Sequence, residues 1–272
     1  MEGTAVGDFP EAGPGRILGP SMDSFLPITD EREVHSFLDQ IPLRVDRARF
    51  TRFVLGFPHR YLELTPPVEM VAHFALVSTL GGRAAASRFA REGEGWKLVV
   101  AANDRSFLFS RIAGCLSFFG ADIVSAEAFS NADAVVLDTF AVADPRRRFE
   151  QPEEGRRFQA FLDQVIGGEV DLEREIESHG GPVRALLHLD FDDAVHPSAT
   201  RLVVSGPDAF GLLHAISRVI SQGGSSVEIA HVETREGHIR DTFFLTSAGR
   251  KLSAEERASL EAGLGALAPA GP

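Results

Sequence analysis

Apolar residues along this chain of 272 residues recur with two periods, the 3.6-residue period of a helix and the two-residue period of a strand. Neither period is present in residues 1–30, which contain many Gly and Pro and are predicted to be a disordered tail. Helical spacing marks residues 31–80, where one helix is closed by Pro42 and a second is opened by Pro66-Pro67. These residues are predicted to form a helical lead-in that is too small to count as a separate domain. The apolar face of the second helix is expected to consist of Val68, Val71, Phe74 and Ala75.

The remainder of the chain contains one pattern twice. The segment "NDRSFLFSRIAGCLSFFGADIV", residues 103–124, aligns with "PDAFGLLHAISRVISQGGSSVE", residues 207–228, at an offset of 104 positions. Further along, an offset of 103 aligns Asp138-Thr139-Phe140 with Asp241-Thr242-Phe243. We infer that the chain carries an internal duplication.

Each copy predicts the element order strand, strand, helix, strand, strand, helix. In the first copy the central helix has a single apolar stripe and ends at Gly120, and in the second copy the last helix begins at a capping box, Ser253-Ala254-Glu255-Glu256. Four strands with two helices on one face make a ferredoxin-like α/β sandwich. The predicted fold class is therefore α+β, with two such sandwiches in tandem at residues 83–178 and 183–270, each built on an antiparallel four-stranded sheet.

Composition and charge argue against several classes of protein. A formal net charge of -12 argues against a nucleic-acid surface, which needs a basic face to displace counterions from phosphates. The single cysteine, Cys115, excludes an internal disulfide and a multi-cysteine zinc site. No apolar run approaches the roughly 20 residues that span a bilayer. We expect a cytoplasmic protein that binds neither nucleic acid nor membrane.

The sequence lacks the motifs of common catalytic sites. There is no phosphate-binding loop, no Rossmann glycine motif, no nucleophile elbow and no H-E-x-x-H zinc motif. The nine histidines, among them His73 and His214, do not fall at metal-ligand spacing and are interpreted as structural residues. The sequence therefore predicts no catalytic residue, no metal site and no cofactor.

The loop between strand and helix in each copy is a candidate ligand site. A helix N-terminus presents unpaired N–H groups and a partial positive charge, which suit the carboxylate of an amino acid. The ammonium group could pair with Asp104 or Asp208, and the start of the next strand, around Asp122 or Ser226, could complete the pocket. The alternative is that each aspartate only caps its helix by accepting a hydrogen bond from an N–H two or three residues on. The sequence leaves both interpretations open.

The residues of this loop carry a resemblance to a known family. The stretch from Asp104 to Gly114, with Gly120–Val124 and Leu137–Phe140, resembles the ACT domain, whose loop pattern is D-R-P-G-L-(F/L). The two copies more closely resemble the tandem ACT region at the C-terminal end of the PII-protein uridylyltransferase/uridylyl-removing enzymes, the bacterial glutamine sensors of nitrogen regulation. Residues 57–76 are similar to the segment that precedes the ACT pair in those enzymes, and the resemblance covers about residues 31–270.

The resemblance has consequences for topology. The usual ACT order ends with a fourth strand, but after the helix that ends near Leu267 only "APAGP" remains, which cannot form a strand. We expect the strands at residues 83–90 and 183–191, which precede the Val-rich strands, to fill that place. The resemblance and the sequence together predict a permuted strand order in both copies.

The resemblance also implies a function. ACT domains bind amino acids between two such units, and the signatures of the family's two catalytic domains are missing from this sequence. We expect a non-catalytic regulatory module that binds a small amino acid, with glutamine as the first candidate, unless the chain is a fragment of a larger uridylyltransferase. A homodimer through the ACT sheets or helices and a protein partner in nitrogen regulation are also expected. The alternative is a ligand-free module for interaction or dimerisation that partners a nitrogen-metabolism enzyme.

The two copies depart from the family pattern in different ways. Ser106-Phe107 replaces the family's Pro-Gly in the first copy, so a backbone position that favours glycine carries a large side chain. The second copy keeps Gly211, and its loop therefore ranks first. The expected ligand-binding residues are Asp208, Ala209, Phe210, Gly211, Leu212, Ser226 and Val227, followed by Asp104, Arg105, Ser106, Phe107, Asp122 and Ile123.

Overall fold

The computed structural model of this protein describes residues 30–40, 46–103, 107–180 and 183–269. Residues 1–29 of the predicted disordered tail lie outside the described residues. The helices are α1 (Glu31–Gln40), α2 (Arg47–Leu55), α3 (His59–Leu64), α4 (Pro67–Ser78), α5 (Leu108–Phe118), α6 (Pro152–Gly167), α7 (Leu172–Gly180), α8 (Leu212–Gln222) and α9 (Ala254–Gly265).

The strands form one antiparallel sheet. They are β1 (Ala85–Glu92), β2 (Gly95–Asn103), β3 (Asp122–Ser130), β4 (Val135–Ala143), β5 (His188–Asp192), β6 (Thr200–Pro207), β7 (Ser226–His231), β8 (Thr234–Arg235) and β9 (His238–Thr246). Their order is β1-β2-β4-β3-β7-β9-β6-β5, and β8 pairs with β9. The strands β1 and β5, which precede the Val-rich strands, occupy the outer places beside β2 and β6. The permuted order is confirmed, and so is the α+β fold class.

The two copies meet around a local two-fold axis. At the seam of the sheet β3 pairs with β7, and Ala126 lies opposite Ala230. In the helix layer, Nδ1 of His214 lies 2.7 Å from the carbonyl oxygen of Ser110. Both pairs join residues that the 104-residue repeat relates. The four-stranded sheets of the two sandwiches therefore merge into one sheet, because each of the two seam strands supplies hydrogen-bond partners for the backbone edge of the other.

The lead-in helices cover the second face of the first copy's sheet. Phe50, Tyr61 and Met70 from these helices form one buried cluster with Val99 and Leu137 of the sheet. A second cluster lies on the opposite face and runs beneath α5, α6, α8 and α9 of both copies. The first copy is therefore buried on both faces, which agrees with the continuous apolar run of β2.

Two features of the helices differ from the sequence prediction. Of the expected apolar face of α4, Val71 and Phe74 are partly buried against the lead-in cluster, whereas Val68 is 42% exposed and Ala75 is exposed. The buried residues of this helix are Pro67, Met70 and His73. The buried face is rotated because His73, a polar residue, is turned inward, where its ring bonds the buried hydroxyl of Tyr61. The helix α7, between the two copies, was not predicted. It packs on the helix layer, where a Cβ at Gly114 would meet Leu172 Cδ2 at 2.7 Å.

Candidate functional site

The loop before the central helix has the same backbone conformation in both copies. Gly211, before α8, has φ of 75°, and Phe107, before α5, has φ of 68°. Phe107, the large side chain at the position that favours glycine, therefore adopts the same left-handed conformation as Gly211. A non-glycine residue there is strained by about 1–3 kcal/mol, which the packing of α5 must offset.

The loop of the second copy lies against α7. A Cβ atom added at Gly211 would lie 2.9 Å from Cγ2 of Ile176 and 3.5 Å from Cγ2 of Val183. One added at Gly180 would lie 2.7 Å from Cδ1 of Phe210. The two glycines are thus required by close approach, and for Gly211 by the positive φ as well.

The two-fold axis divides the expected ligand-binding residues into two groups, and each group draws on both copies. In the first group, Asp122-Ile123 begins β3 and lies toward the end of β7 at the seam. The loop Asp208–Leu212 lies at the same end, because the amide of Asp208 donates to the carbonyl oxygen of Gly237, just before β9. The structure therefore places the second copy's loop, which contains Ala209 and Phe210, beside the first copy's strand.

The second group lies at the opposite end of the sheet. Ser226 and Val227 pair with Thr246 and Leu245 at the far end of β9, about 27 Å along the strand from its start. The register of β3 with β7 directs them toward the end of β3 and the start of α5, where Phe107 lies. Asp104, Arg105 and Ser106 lie outside the described residues.

The first group brings two carboxylates together. Burial raises the pKa of Asp122, the nearby charge of Asp208 raises it further, and Arg146 lowers it. The Arg146 guanidinium also approaches Gly120, where an added Cβ would lie 3.6 Å from its Nη1. Arg146 has no ion pair with another described residue. Arg146 is the first of three consecutive arginines, and it was not among the ligand-binding residues expected from the sequence.

The capping alternative does not hold for Asp208. The N-cap of α8 is Gly211, without a side-chain hydrogen bond, and the amide of Leu212 donates to the backbone carbonyl of Ala209. Within the described ranges, the carboxylate of Asp208 accepts no hydrogen bond. It therefore remains available to a cation.

Each copy also buries an aspartate on the helix side of its sheet. Burial raises the pKa of Asp138 to about 8 and the pKa of Asp241 to about 7. Asp241 accepts a hydrogen bond from the amide of Glu233, whereas neither oxygen of Asp138 has a partner in the part of the chain that the structure describes. The charge of Asp208 raises the pKa of Asp241 further, so this carboxyl lies near the candidate site. The repeated Asp-Thr-Phe signals both positions, but it does not reveal their burial.

The arrangement has the groups to recognise a zwitterion. Asp122 and Asp208 can attract an ammonium group, and Arg146 can bind a carboxylate through its planar fork. Phe210, in the same loop as Asp208, and Val124, two residues after Asp122, are exposed apolar side chains. No cluster of three or more His, Cys, Asp or Glu residues within the described ranges could hold a metal ion.

The fold and this junction define a class of protein. It is a tandem pair of ferredoxin-like α+β units that share one sheet, in which the loop before a helix of one unit lies at the same end as the start of a strand of the other. No family model matches the chain. It is, however, similar to bifunctional uridylyltransferase/uridylyl-removing enzymes. It is 32% identical to the enzyme of Gluconobacter oxydans over 158 residues, which are 55% of this chain and 17% of the enzyme.

Other relatives bear the same name. The enzyme of Phenylobacterium zucineum is 31% identical over 214 residues, or 75% of this chain and 23% of the enzyme. That of Caulobacter vibrioides is 29% identical over 191 residues, or 67% of this chain and 20% of the enzyme. The expected resemblance is confirmed, and the chain spans about a fifth of the length of these curated relatives. None of the helices in the described ranges is both long and apolar enough to cross a membrane.

Proposed function

We propose that this protein is a regulatory module that binds a small amino acid where its two copies meet, and that it acts in nitrogen regulation. Glutamine is the first candidate ligand. The observation that carries the proposal is the junction of Asp208 from one copy with Asp122 and Arg146 from the other. These groups come from separate copies, so a ligand that contacts all three bridges the copies, and its affinity depends on how they pack.

The chemistry of the junction suits an α-amino acid. The ammonium group pairs with the carboxylates of Asp208 and Asp122, and the carboxylate binds Arg146 and the free N–H groups at the start of α8. Asp208 has no competing hydrogen bond among the described residues, so it need not exchange a protein partner for the ligand. The side chain of the amino acid lies toward Phe210 and Val124, which are 42% and 46% exposed.

The relatives support a regulatory role for this part of the chain. They are bifunctional uridylyltransferase/uridylyl-removing enzymes, and the matched segment is at most 23% of their length. We assign neither activity to this segment, because the sequence has no G-S…D-x-D signature and no His-Asp pair. Amino-acid binding shifts the packing of the copies, provided that the two arrangements differ in affinity for the ligand.

A second function is favoured by the contact of α7 with the loop. Ile176 packs directly on Gly211, at the start of α8. If α7 holds this position permanently, it occupies space that a ligand would need. The module would then be a ligand-free one for dimerisation or for interaction with a nitrogen-metabolism enzyme. The exposed outer edges of β1 and β5 suit side-by-side pairing of two chains in the sheet.

A thermal-shift screen against the twenty amino acids separates these functions. A ligand at 100 times its dissociation constant adds about 2.7 kcal/mol to the free energy of unfolding, which raises the midpoint by several degrees in a chain of this size. We expect one amino acid, glutamine first, to produce this shift. The shift should be lost in Asp208→Asn and in Arg146→Ala.

The matched control is Glu94→Gln, the same change of acid to amide in the exposed turn between β1 and β2. It should keep the full shift. If none of the twenty amino acids raises the midpoint, the amino-acid site is excluded and the interaction module takes its place. A shift that survives both site variants would place the ligand elsewhere on the protein.

A further inference from the structure

A cavity of about 230 Å³ lies between the lead-in helix α4 and the outer strands β1 and β2 of the first copy. At about 30 Å³ for each water, it has room for roughly seven water molecules. It is on the opposite face of the sheet from α5 and lies away from the junction of the two copies. It is therefore independent of the proposed amino-acid site.

The cavity contains a buried histidine with one unused nitrogen. His73 lines the cavity and is only 6% exposed, and its Nδ1 lies 3.0 Å from the hydroxyl oxygen of Tyr61. Burial raises the pKa of Tyr61 and lowers the pKa of His73 to about 4, so the hydroxyl keeps its proton and the ring is neutral near pH 7. The hydroxyl proton has no other acceptor among the described residues, so it is donated to Nδ1.

This hydrogen bond determines the state of the other ring nitrogen. A neutral imidazole whose Nδ1 accepts a hydrogen bond carries its proton on Nε2. Nε2 of His73 has no hydrogen-bond partner among the residues that the structure describes. His73 thus contributes an unused N–H donor to the cavity.

The cations that line the cavity differ in how they are compensated. The ammonium of Lys97 lies 2.7 Å from Oε2 of Glu69 and 3.5 Å from Oε1 of Glu92, so two carboxylates surround it. The guanidinium of Arg88 has no ion pair or hydrogen bond with any described residue, and its charge contributes to lowering the pKa of His73. Arg91 also lines the cavity, and its Nη1 lies 3.5 Å from Oε1 of Glu150. The uncompensated positive charge of the cavity is therefore that of Arg88, which lines the same cavity as His73.

Apart from His73 and the charged groups, the wall of the cavity is apolar. Val68, Ala72 and Leu76 line it from α4, and Ala90 and Val99 line it from the strands. Such a wall suits a short hydrocarbon chain. Glu69 and Glu92 also line the cavity and would repel a doubly charged phosphate, whereas a planar, singly charged carboxylate matches the fork of a guanidinium.

We propose that this cavity binds a small aliphatic carboxylate, with the carboxylate on the Arg88 guanidinium and the His73 Nε2–H and the chain against Val68, Ala72 and Leu76. Arg88 belongs to the sheet, and His73 belongs to the lead-in. A bound carboxylate therefore ties the lead-in helices to the first copy of the repeat. Occupancy of the cavity governs how firmly these helices hold to the sheet.

Isothermal titration of the full chain with butyrate tests the proposal. We expect one saturable site, which Arg88→Ala weakens at least tenfold by removing the cation. Ala72→Leu should weaken it as much by filling the cavity while leaving every charge in place. The matched control, Arg156→Ala, removes an arginine from the exposed surface of α6 across the sheet and should leave butyrate binding unchanged. 1-Butanol, which has the same chain without the charge, should not bind.

The wild-type chain provides a second test that does not depend on how the variants fold. With ¹⁵N-labelled histidine, the Nε2 resonance of His73 should shift as butyrate is added and saturate with the dissociation constant from titration. An unchanged His73 resonance would overturn the proposal. So would butyrate binding that persists in Ala72→Leu, binding that Arg156→Ala weakens equally, or inorganic phosphate that binds as tightly as butyrate.

Discussion

The two copies of the repeat share a layout but differ in what covers them. Leu137 in β4 is 1% exposed beneath the lead-in helices, whereas Arg240, the residue 103 positions later, is exposed on β9. Ala101 is fully buried, and its counterpart Ser205 is partly exposed. The lead-in helices account for the difference, because they cover this face in the first copy only. The comparison shows that the two copies have the same strand register because both contain the repeat. The residue types on this face differ because helices cover it in the first copy only.

Exchanging the two counterpart residues has the largest expected effect. Leu137→Arg places a charge in the cluster beneath the lead-in helices, and it should cost more than about 4 kcal/mol of the free energy of unfolding or prevent folding. The reciprocal change, Arg240→Leu, is on the exposed face and should cost less than about 1 kcal/mol. Denaturant unfolding of both variants measures the difference. Equal costs would show that the lead-in does not seal the first copy.

The buried aspartates predict a dependence on pH. The folded pKa of Asp138 is raised from 3.8 to about 8, so the folded chain retains a proton that the unfolded chain releases. The wild type should therefore lose stability as pH rises from about 4 to about 8, and no further above that. Asp138→Asn should remove this loss, so its stability advantage over the wild type should be about 4 kcal/mol larger at pH 7.5 than at pH 4.5.

Asp241→Asn is the counterpart in the second copy. The pH range over which ionisation of Asp241 lowers stability should end near pH 7, where the folded pKa of Asp241 lies. The stability gained by Asp241→Asn should be smaller, because the Glu233 amide already donates a hydrogen bond to this carboxylate. Unfolding free energies at three pH values compare the two variants. An effect of Asp138→Asn that does not change with pH would contradict the burial of a protonated carboxyl.

The contact of α7 with the second copy's loop predicts a difference between two glycines. Gly211 and Gly237 both have φ of 75°, but an added Cβ meets Ile176 at 2.9 Å only at Gly211. Gly237→Ala should cost about 1 kcal/mol for the backbone alone, and Gly211→Ala should cost about 2 kcal/mol because α7 must also shift. Equal losses in thermal unfolding would mean that α7 does not press on the loop.

The smallest expected effect concerns the N-terminal caps of the final helices of the two copies. The helix α9 begins with a complete capping box from Ser253 and Glu256, whereas α6 begins after Gln151, whose side chain makes no capping hydrogen bond. Ser253→Ala should therefore cost about 1 kcal/mol. Gln151→Ala should change stability by no more than about 0.5 kcal/mol. Urea unfolding of the two variants is sufficient to distinguish these values.

Sequence reasoning succeeded where the signal is local. The capping box at Ser253 and the apolar stripe of α5 follow from residues that are close in the chain, and the permuted strand order follows from the sequence together with the ACT resemblance. It identified the buried face of α4 only in part, because His73, a polar residue, is held inside by Tyr61. It also missed Arg146, because nothing in an arginine run shows which member faces another copy.

The candidate site was found only in part. The loop Asp208–Leu212 follows from the repeat and from the physics of a helix N-terminus, but its partner strand does not. The structure places it with Asp122-Ile123 of the other copy and separates it from Ser226-Val227 of its own, because the seam inverts one copy relative to the other.

The amino-acid sequence by itself determined the duplication, the element order within each copy and the α+β class, because periodicity, caps and turns act over a few residues. Only the tertiary structure decided that the two sheets join at Ala126 and Ala230, that the lead-in covers one face, and that Asp138 is buried without a described partner. These features depend on which surfaces meet. Such contacts join residues far apart in the chain, and no local pattern encodes them.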